Sequence, residues 1–248
     1  MIRKLAETGS TNADLAAALR AGEPLGEGEW LVADRQTAGR GRQGRQWSDG
    51  AGNFMGSTLV RPGHGDPPPA SLALVAGVAA YEAVVALLAE PGQLQLKWPN
   101  DLLLRGAKLA GILLEREGAA IIVGIGVNLA IAPALPDRPT IALSALGPAP
   151  DRDLFAASLA AAFDRELERW RSYGLEPLVR RWESVAHPRG TPLTVMPPGE
   201  EAISGGFAGL LADGALSLRL ADGTTRAIHA GDVMLAATAA AFHADREP

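Results

Sequence analysis

The 248-residue chain contains no cysteine. That absence excludes a disulfide-stabilised scaffold, a zinc site with thiolate ligands and a cysteine nucleophile. The sequence also has no uninterrupted apolar run of about 18 residues, the length that a membrane-spanning helix needs. Its first residues, MIRKLAETGSTN, do not contain the apolar segment of a secretory signal peptide. We therefore expect a soluble protein of the cytoplasm.

Positive charge is scarce as well: the formal net charge is −5 and the pI is about 5.4. A broad basic surface for nucleic acid is therefore not expected. The exception is GRGRQGRQW at residues 39–47, the arginine loop, which places three arginines among three glycines with no acid. Glycine lets the backbone approach a ligand closely, and arginine supplies permanent planar donors for carboxylates and phosphates. The run predicts a loop that closes over an anion, and a nucleic-acid-binding segment is the less favoured interpretation.

Apolar residues make up 47% of the chain, which excludes general disorder. Their spacing predicts an α+β domain over residues 1–187, a mixed sheet flanked by helices. Helical spacing occurs at residues 10–22, 70–89, 151–173 and 176–185. Strand patterns occur at residues 2–7, 30–36, 53–62, 94–98, 102–115 with a turn at Arg105-Gly106, and 119–131. The last of these runs is almost continuously apolar, which predicts a central strand.

The pattern changes at AHPRGTPL, residues 186–193. Short apolar runs separated by glycine-containing turns follow, and two Asp-Gly pairs, Asp213-Gly214 and Asp222-Gly223, are strong hairpin signals. We predict a small β-barrel domain at residues 188–237 and a frayed tail at residues 238–248.

Four separated stretches carry polar groups that a hydrophobic core does not need. They are GSTN at 9–12, QTAGRGRQGRQW at 36–47, KWPNDLLLRGAKLAGILLE at 97–115 and VGIGVNL at 123–129. With these motifs in this order, the chain resembles the biotin–protein ligases from about residue 5 to residue 236. A related class that transfers lipoate or octanoate shares the catalytic fold, but the GRGRxGR and KWPND runs argue against it.

The resemblance implies a class II synthetase-like ligase core with an SH3-like C-terminal barrel, and a reaction in two steps. Biotin and ATP, with Mg²⁺, form biotinyl-5′-AMP and pyrophosphate, and a lysine on the biotin carrier domain of a carboxylase then attacks the mixed anhydride. Fixed positive charge suits this chemistry, because both reactants and the intermediate are negative. A sensor that binds biotin or nucleotide without transfer is the non-enzymatic alternative.

The partners implied are biotin, ATP and a carboxylase carrier domain. Bifunctional members of the family begin with a DNA-binding winged helix, for which we find no room before Ser10. We therefore expect neither a nucleic acid nor a membrane as partner. We expect the protein to be a monomer or a weak homodimer.

The resemblance assigns biotin binding to residues from all four motifs. The STN triplet and Gln36 would hydrogen-bond the ureido ring, although the triplet is also typical of a plain helix N-cap and Gln36 of a polar strand end. The full biotin set is Ser10, Thr11, Asn12, Gln36, Gly39, Arg40, Gly41, Arg42, Lys108, Gly111 and Gly124.

The catalytic residues implied by the resemblance are Lys108, Arg40 and Asp101. For Asp101 the resemblance implies help to magnesium or to the incoming lysine amine, and a turn-stabilising role is an equal alternative. The adenylate contacts implied are Arg42, Arg45, Trp47, Lys97, Asn100, Gly126 and Asn128. A surface salt bridge for Arg45, and packing at the base of the loop for Trp47, are the competing interpretations.

Two features remain without an assignment. The segment ALPDRPTIALSALG, residues 134–147, occupies the place of the family's adenine-covering loop but contains no aromatic residue. The four histidines are widely scattered, so no metal site within the protein is predicted.

Overall fold

The computed structural model describes residues 1–235. Its larger sheet has seven strands in the order β1-β2-β3-β7-β6-β5-β4; β1 and β2 are parallel and all other neighbours antiparallel. The predicted central strand, β7, lies between β3 and β6. The strands are β1 Ile2–Thr8, β2 Trp30–Gln36, β3 Phe54–Val60, β4 Leu94–Lys97, β5 Asp101–Leu104, β6 Ala107–Glu117 and β7 Ala120–Val127.

Four helices cover the two faces of this sheet, and their positions follow from the alternation of apolar side chains along the strands. In β7, Ile121 and Val123 point into the main core, while Ile122 points to the other face and packs with Leu15. That second face carries α1, whereas α2, α3 and α4 pack together on the main-core side. The helices are α1 Thr11–Arg20, α2 Leu72–Val85, α3 Arg152–Tyr173 and α4 Leu175–Ser184.

The predicted turn between β5 and β6 is confirmed. Arg105 and Gly106 have φ values of 54° and 76°, the conformation of the tight two-residue hairpin turns whose twist matches the flanking strands. Arginine seldom adopts a positive φ, and glycine does so without strain. The turn brings Asp101 directly opposite Gly111, so that the two halves of the KWPND…GIL motif lie side by side.

The predicted strands of the C-terminal unit form a second, antiparallel sheet in the order β11-β10-β9-β8-β12. Both Asp-Gly hairpins are present: Gly214 and Gly223 have φ values of 85° in the turns that flank β10. The strands are β8 Pro192–Met196, β9 Ile203–Leu210, β10 Leu216–Arg219, β11 Thr225–Ile228 and β12 Asp232–Leu235.

Within the described residues this sheet is open, so the prediction of a closed barrel is wrong for them. Closure needs β11 to pair with β12, but the two are opposite edges of the sheet. A carbonyl of β12, that of Val233, accepts a hydrogen bond from Lys97 of the larger unit instead, at 2.8 Å. The tail predicted at residues 238–248 lies outside the described residues.

The two sheets share one continuous core. Phe207 of β9 packs on Trp182 of α4, with the ring centroids 6.5 Å apart, and the indole nitrogen of Trp98 donates to the carbonyl of Gly214 at 3.1 Å. The small sheet is therefore held firmly against the larger unit, with the start of β12 beside the KWPND motif.

Candidate active site

A cavity of about 470 Å³ lies on the face of the larger sheet that carries α1. Its walls are the sheet, the start of α1, the arginine loop, residues 133–140 and the start of β12. Every site residue predicted from the sequence lines this cavity except Gly39, where a Cβ atom would lie 2.6 Å from the backbone oxygen of Trp47. The lining set is Ser10, Thr11, Asn12, Gln36, Arg40, Gly41, Arg42, Arg45, Trp47, Lys97, Asn100, Asp101, Lys108, Gly111, Gly124, Gly126 and Asn128.

The register of the strands brings distant motifs together. Residues directly opposite each other in an antiparallel sheet point to the same face. One such row crosses the sheet from β3 to β4 through Met55, Gly126, Gly111, Asp101 and Lys97. The two glycines leave the middle of the row without side chains, so the backbone there is open to another group.

In this structure, side chains of the protein occupy the space above the two glycines of β7, Gly124 and Gly126. A Cβ atom at Gly124 would lie 2.3 Å from Asn12 Oδ1, and one at Gly126 would lie 2.3 Å from the indole of Trp47. A side chain at either position would therefore displace a cavity residue.

The STN triplet forms a buried polar network that a helix N-cap does not explain. Ser10 occupies the N-cap position of α1, but its side chain makes no capping hydrogen bond. The Thr11 backbone nitrogen and hydroxyl both donate to Gln36 Oε1, at 2.8 and 3.1 Å. Gln36 thereby fixes the start of the helix to the end of β2, with its amide in the cavity wall.

Two members of this network, Ser57 and Glu115, were not predicted from the sequence. Ser57 is fully buried, lies 2.6 Å from the Thr11 hydroxyl and donates to Asn12 Oδ1 at 2.6 Å. The Asn12 amide donates to Glu115 Oε2 at 2.7 Å, and Glu115 Oε1 is 3.6 Å from Arg40. A polar residue on a strand buried along its whole length was the available signal for Ser57.

Asp101 lies at the centre of a cationic cluster. It is only 5% exposed, and its two oxygens pair with different lysines, Oδ1 with Lys108 at 2.6 Å and Oδ2 with Lys97 at 3.1 Å. Burial alone would raise the pKa of Asp101, but the two ammonium groups outweigh it and hold the pKa well below its ordinary value. The carboxylate is therefore ionised and positions both lysines at the cavity wall.

Trp47 forms the floor beneath the arginine loop. Its indole covers Gly126 and Gly111, and Lys108 Nζ lies 5.9 Å from the ring centroid, within the range of a cation–π contact. These contacts agree with the interpretation that the Trp47 side chain packs at the base of the arginine loop. Among the described residues the indole nitrogen of Trp47 is buried and has no hydrogen-bond partner.

The arginines of the loop reach across the cavity to the second sheet. Arg42 donates to Asn100 Oδ1 at 3.1 Å and to the Gly231 carbonyl at 3.4 Å. Burial lowers the pKa of Arg42, with Asp232 opposing the shift. Arg45 pairs with Asp232 across the mouth of the cavity; the arginine side chain is 43% exposed and the carboxylate 14%. Asp232 was not predicted, because nothing in the local sequence marks a contact between residues so distant along the chain.

The segment after β7 forms another wall of the cavity. Asn128 donates to the Ile141 carbonyl at 3.2 Å, and Lys108 exchanges backbone hydrogen bonds with Pro139 and Ile141. Asn128 thus fastens the segment rather than standing free in the cavity. Arg138 and Asp137 of this segment line the cavity and were not predicted.

Positive charge dominates the cavity. Six cations and three carboxylates line it within residues 1–235; the cations are Arg40, Arg42, Arg45, Lys97, Lys108 and Arg138, and the acids are Asp101, Asp137 and Asp232. In a partly buried site such fixed charges act more strongly on a bound anion than they would in water. The arrangement can bind one or more anions and stabilise charge that develops between them.

The described histidines lie away from the cavity wall. Among residues 1–235, no three His, Cys, Asp or Glu side chains are grouped to hold a metal ion. His187 is buried beside Lys97; burial and the lysine lower its pKa to about 4, so the ring is neutral at pH 7. His243 lies outside the described residues. No helix within 1–235 has the length and apolar character needed to span a membrane.

Comparisons with known proteins agree with the motifs. A family model described as the biotin/lipoate A/B protein ligase family matches residues 10–130. The chain is 40% identical over 228 residues to the biotin–[acetyl-CoA-carboxylase] ligase of Paracoccus denitrificans, covering 87% of this chain and 92% of that protein. It is 37% identical over 236 residues to the ligase of the same name from Mycobacterium tuberculosis, covering 93% and 87%.

Among solved structures, the biotin protein ligase from Aquifex aeolicus in complex with biotin and ATP superposes with a TM-score of 0.83. The sequences are 27% identical, and the match covers 94% of this chain and 98% of that one. The mixed α/β architecture described above is therefore that of the solved ligase.

Proposed function

The chain belongs to the biotin/lipoate A/B protein ligase family, and from this premise we propose that it is a biotin–protein ligase. It activates biotin with ATP and joins it to a lysine of a carboxylase's biotin carrier domain. The observation that carries the proposal is one cavity in which the STN network, the arginine loop and the Lys108–Asp101–Lys97 cluster meet.

In the first step, a carboxylate oxygen of biotin attacks the α-phosphorus of ATP, and the bond from that phosphorus to pyrophosphate breaks. Two anions must approach each other, so the barrier falls when fixed cations already surround the place where they meet. Lys108 and Arg40 supply this charge. Asp101 orients Lys108 through their 2.6 Å ion pair.

In the second step, the amine of the acceptor lysine attacks the carbonyl carbon of biotinyl-5′-AMP. The carbon–oxygen bond to AMP breaks, an amide forms, and the amine loses a proton. The arginine loop and β12 border the cavity together through the Arg45–Asp232 pair, so we infer that the acceptor approaches near this border.

The subsites are assigned from the roles that the resemblance implies, and the cavity lining supports them. Ser10, Thr11, Asn12 and Gln36 offer hydroxyl and amide groups that suit a ureido ring, which both donates and accepts hydrogen bonds. The backbone of Gly39 and Gly41 and the side chain of Arg42 belong to the loop that would cover the biotin carboxylate and the adenylate phosphate. Arg45, Lys97 and Asn100 lie on the side where ATP would bind.

Magnesium enters this scheme as part of the substrate MgATP. Both oxygens of Asp101 are engaged by ammonium groups, so this carboxylate does not suit a magnesium ion while those pairs persist. We therefore assign Asp101 to holding the lysines, and the ATP phosphates to carrying the metal.

Two units make up the proposed ligase. The catalytic unit spans residues 1–187, and the five-stranded unit from residue 188 onward is an SH3-like domain that contributes Asp232 and Val233 to the cavity wall. The need for ATP and for a carboxylase favours the cytoplasm. Lipoate transfer is not favoured, because the relatives above are named as biotin ligases.

One assay tests the function. The protein is incubated with MgATP, a carboxylase biotin domain and either biotin or lipoate, and the carrier domain is weighed by intact mass spectrometry. We expect one added biotin, no added lipoate, and no product on a carrier whose acceptor lysine is arginine. Pyrophosphate release with lipoate alone would assign the chain to the related transferase class, and binding of biotin without pyrophosphate release would make it a sensor.

Ser57→Ala should raise the apparent KM for biotin by on the order of tenfold while kcat changes little. The substitution removes the hydrogen bond that Ser57 donates to Asn12 Oδ1, and a buried acceptor left without its donor costs about 1–3 kcal/mol. The ureido ring is the same in the ground and transition states, so the loss is uniform binding and falls on KM. Steady-state adenylation kinetics measure both constants, with Ser172→Ala on the exposed end of α3 as control. A fall in kcat with KM unchanged would contradict the assignment.

Residues 39–50 should exchange their amide hydrogens quickly in the ligand-free protein and slowly with biotin and MgATP. Few backbone hydrogen bonds close the loop, among them Gly41 to Arg45 and Trp47 to Gly39, and its like charges repel until an anion binds. Hydrogen–deuterium exchange measures this change, with the central strand β7 as an internal control protected in both states. Equal protection of the loop in both states would refute the prediction.

A further inference from the structure

The segment between β7 and α3 contains one cation in the cavity wall, Arg138. The segment lacks an aromatic residue, and its cavity-lining members besides Arg138 are Pro133, Leu135, Asp137 and Thr140. Of these, only Arg138 carries a permanent charge and a planar set of donors. It is therefore the member of the segment best suited to an anionic or planar part of a ligand.

The backbone around Arg138 is fixed to the reacting centre. The Lys108 nitrogen donates to the Pro139 carbonyl at 2.9 Å, and the Ile141 nitrogen donates to the Lys108 carbonyl at 3.0 Å. Lys108 and Thr140 thus form a parallel bridge. Arg138 lies two residues before Thr140, a distance of roughly 6–7 Å along an extended chain. Its position is tied to that of Lys108.

The present partner of Arg138 is a weak one. Asp137 accepts from Arg138 Nε at 3.0 Å, but the two are neighbours in sequence and Asp137 is half exposed, at 50% against 24% for Arg138. An ion pair of this kind contributes little. Both donors of Arg138 converge on a single oxygen, Oδ2 of Asp137. A phosphate offers two oxygens to the planar guanidinium and more charge, so it can replace Asp137.

The charges around Arg138 place it in the field of the catalytic cluster. Burial alone would lower the pKa of Arg138, but Asp137 raises it through a hydrogen bond and through charge, and Asp101 and Asp232 add to the rise. Asp101 holds Lys97 and Lys108, and Asp232 holds Arg45. Arg138 therefore shares its region of the cavity with the cations of the proposed ATP side.

On the basis of the proposed ligase function, we propose that Arg138 binds the phosphates of MgATP beyond the α-phosphate, exchanging Asp137 for them. In this proposal Lys108 lies where the biotin carboxylate meets the α-phosphorus. The bridge between Lys108 and Thr140 holds Arg138 nearby, on the side of the other phosphates. The guanidinium then stabilises the negative charge that moves onto pyrophosphate as the α-phosphorus bond breaks. This gives the segment a role in nucleotide binding without an aromatic side chain.

The test separates phosphate from base by using two probes, the non-hydrolysable triphosphate AMPPNP with magnesium, and AMP. Isothermal titration without biotin measures both on the wild type, Arg138→Ala, Arg138→Lys and Asp137→Asn. We expect Arg138→Ala to weaken the triphosphate about tenfold or more and AMP less than twofold. Arg138→Lys should recover part of the loss, and Asp137→Asn should bind the triphosphate at least as tightly as the wild type. The exposed Arg116→Ala on β6 is the matched control.

Equal weakening of AMP and of the triphosphate would overturn the proposal and assign Arg138 to the base or ribose. Unchanged binding of both would overturn it as well. In kinetics, the KM for MgATP should rise in Arg138→Ala while that for biotin is kept, which a merely structural role would not produce. Because titration needs no biotin, a wild type that binds AMPPNP yet forms no biotinyl-AMP would disprove the proposed function while leaving the Arg138 result readable.

Discussion

Replacing Lys108 by alanine should slow biotinyl-AMP formation by about 100- to 1,000-fold at saturating biotin and MgATP. The ammonium lies in a partly buried site, 17% exposed, where charge is poorly screened by water. The carboxylate and α-phosphate gather charge only as they meet, so a cation at that point acts on the transition state more than on either ground state. Single-turnover pyrophosphate release measures this step directly.

The sequence offers a matched control, because it contains three lysines, Lys4, Lys97 and Lys108. Lys4 is in β1 and pairs with Asp153 at the surface, about half exposed, so Lys4→Ala should leave the rate unchanged. Biotin binding and the unfolding midpoint of Lys108→Ala should remain near those of the wild type, since Lys97 still neutralises Asp101. A near-normal single-turnover rate in Lys108→Ala would reject the assignment and make Lys97 the next candidate.

Most of the fold was predictable because its signals are local. Strand β2 lies within the predicted bounds, the Arg105-Gly106 turn needs only two residues, and α3 begins where Asp151 caps it by accepting from the backbone nitrogens of residues 153 and 154. Closure of the C-terminal sheet was not predictable in this way. It depends on pairing between strands that are distant in sequence, and within the described residues β11 and β12 remain at opposite edges of the sheet.

The site residues also differ in whether local sequence signals reveal them. Motif spacing found the residues that line the cavity, since short glycine-rich and polar runs are unusual in a core. It missed Ser57, Glu115 and Asp232, whose roles arise from contacts across the sheet or between the two units. It also left open whether Asp101 stabilises a turn, and the two lysine pairs now argue for an electrostatic role.

Asp101→Asn should lower the free energy of unfolding at pH 7 by about 3–5 kcal/mol, the usual cost of breaking a buried ion pair. The asparagine keeps the shape but removes the charge that Lys97 and Lys108 share, and both ammonium groups then lie close together without a counter-ion. Adenylation should fall too, because Lys108 loses the partner that orients it. Urea unfolding followed by circular dichroism measures the stability, and single-turnover kinetics measure the rate.

The stability that Asp101 contributes should depend on pH. The two lysines depress the pKa of the folded Asp101, so between the folded and unfolded pKa values the unfolded chain binds more protons. The stabilisation is therefore complete above the unfolded pKa of about 4 and is lost as the pH falls below it towards the folded pKa. The stability difference between wild type and Asp101→Asn should be largest near pH 7 and shrink below about pH 4. Asp153→Asn, which removes an exposed partner of Lys4, should change the unfolding midpoint little. If Asp101→Asn matches the wild type at pH 7, the carboxylate does not hold the lysines.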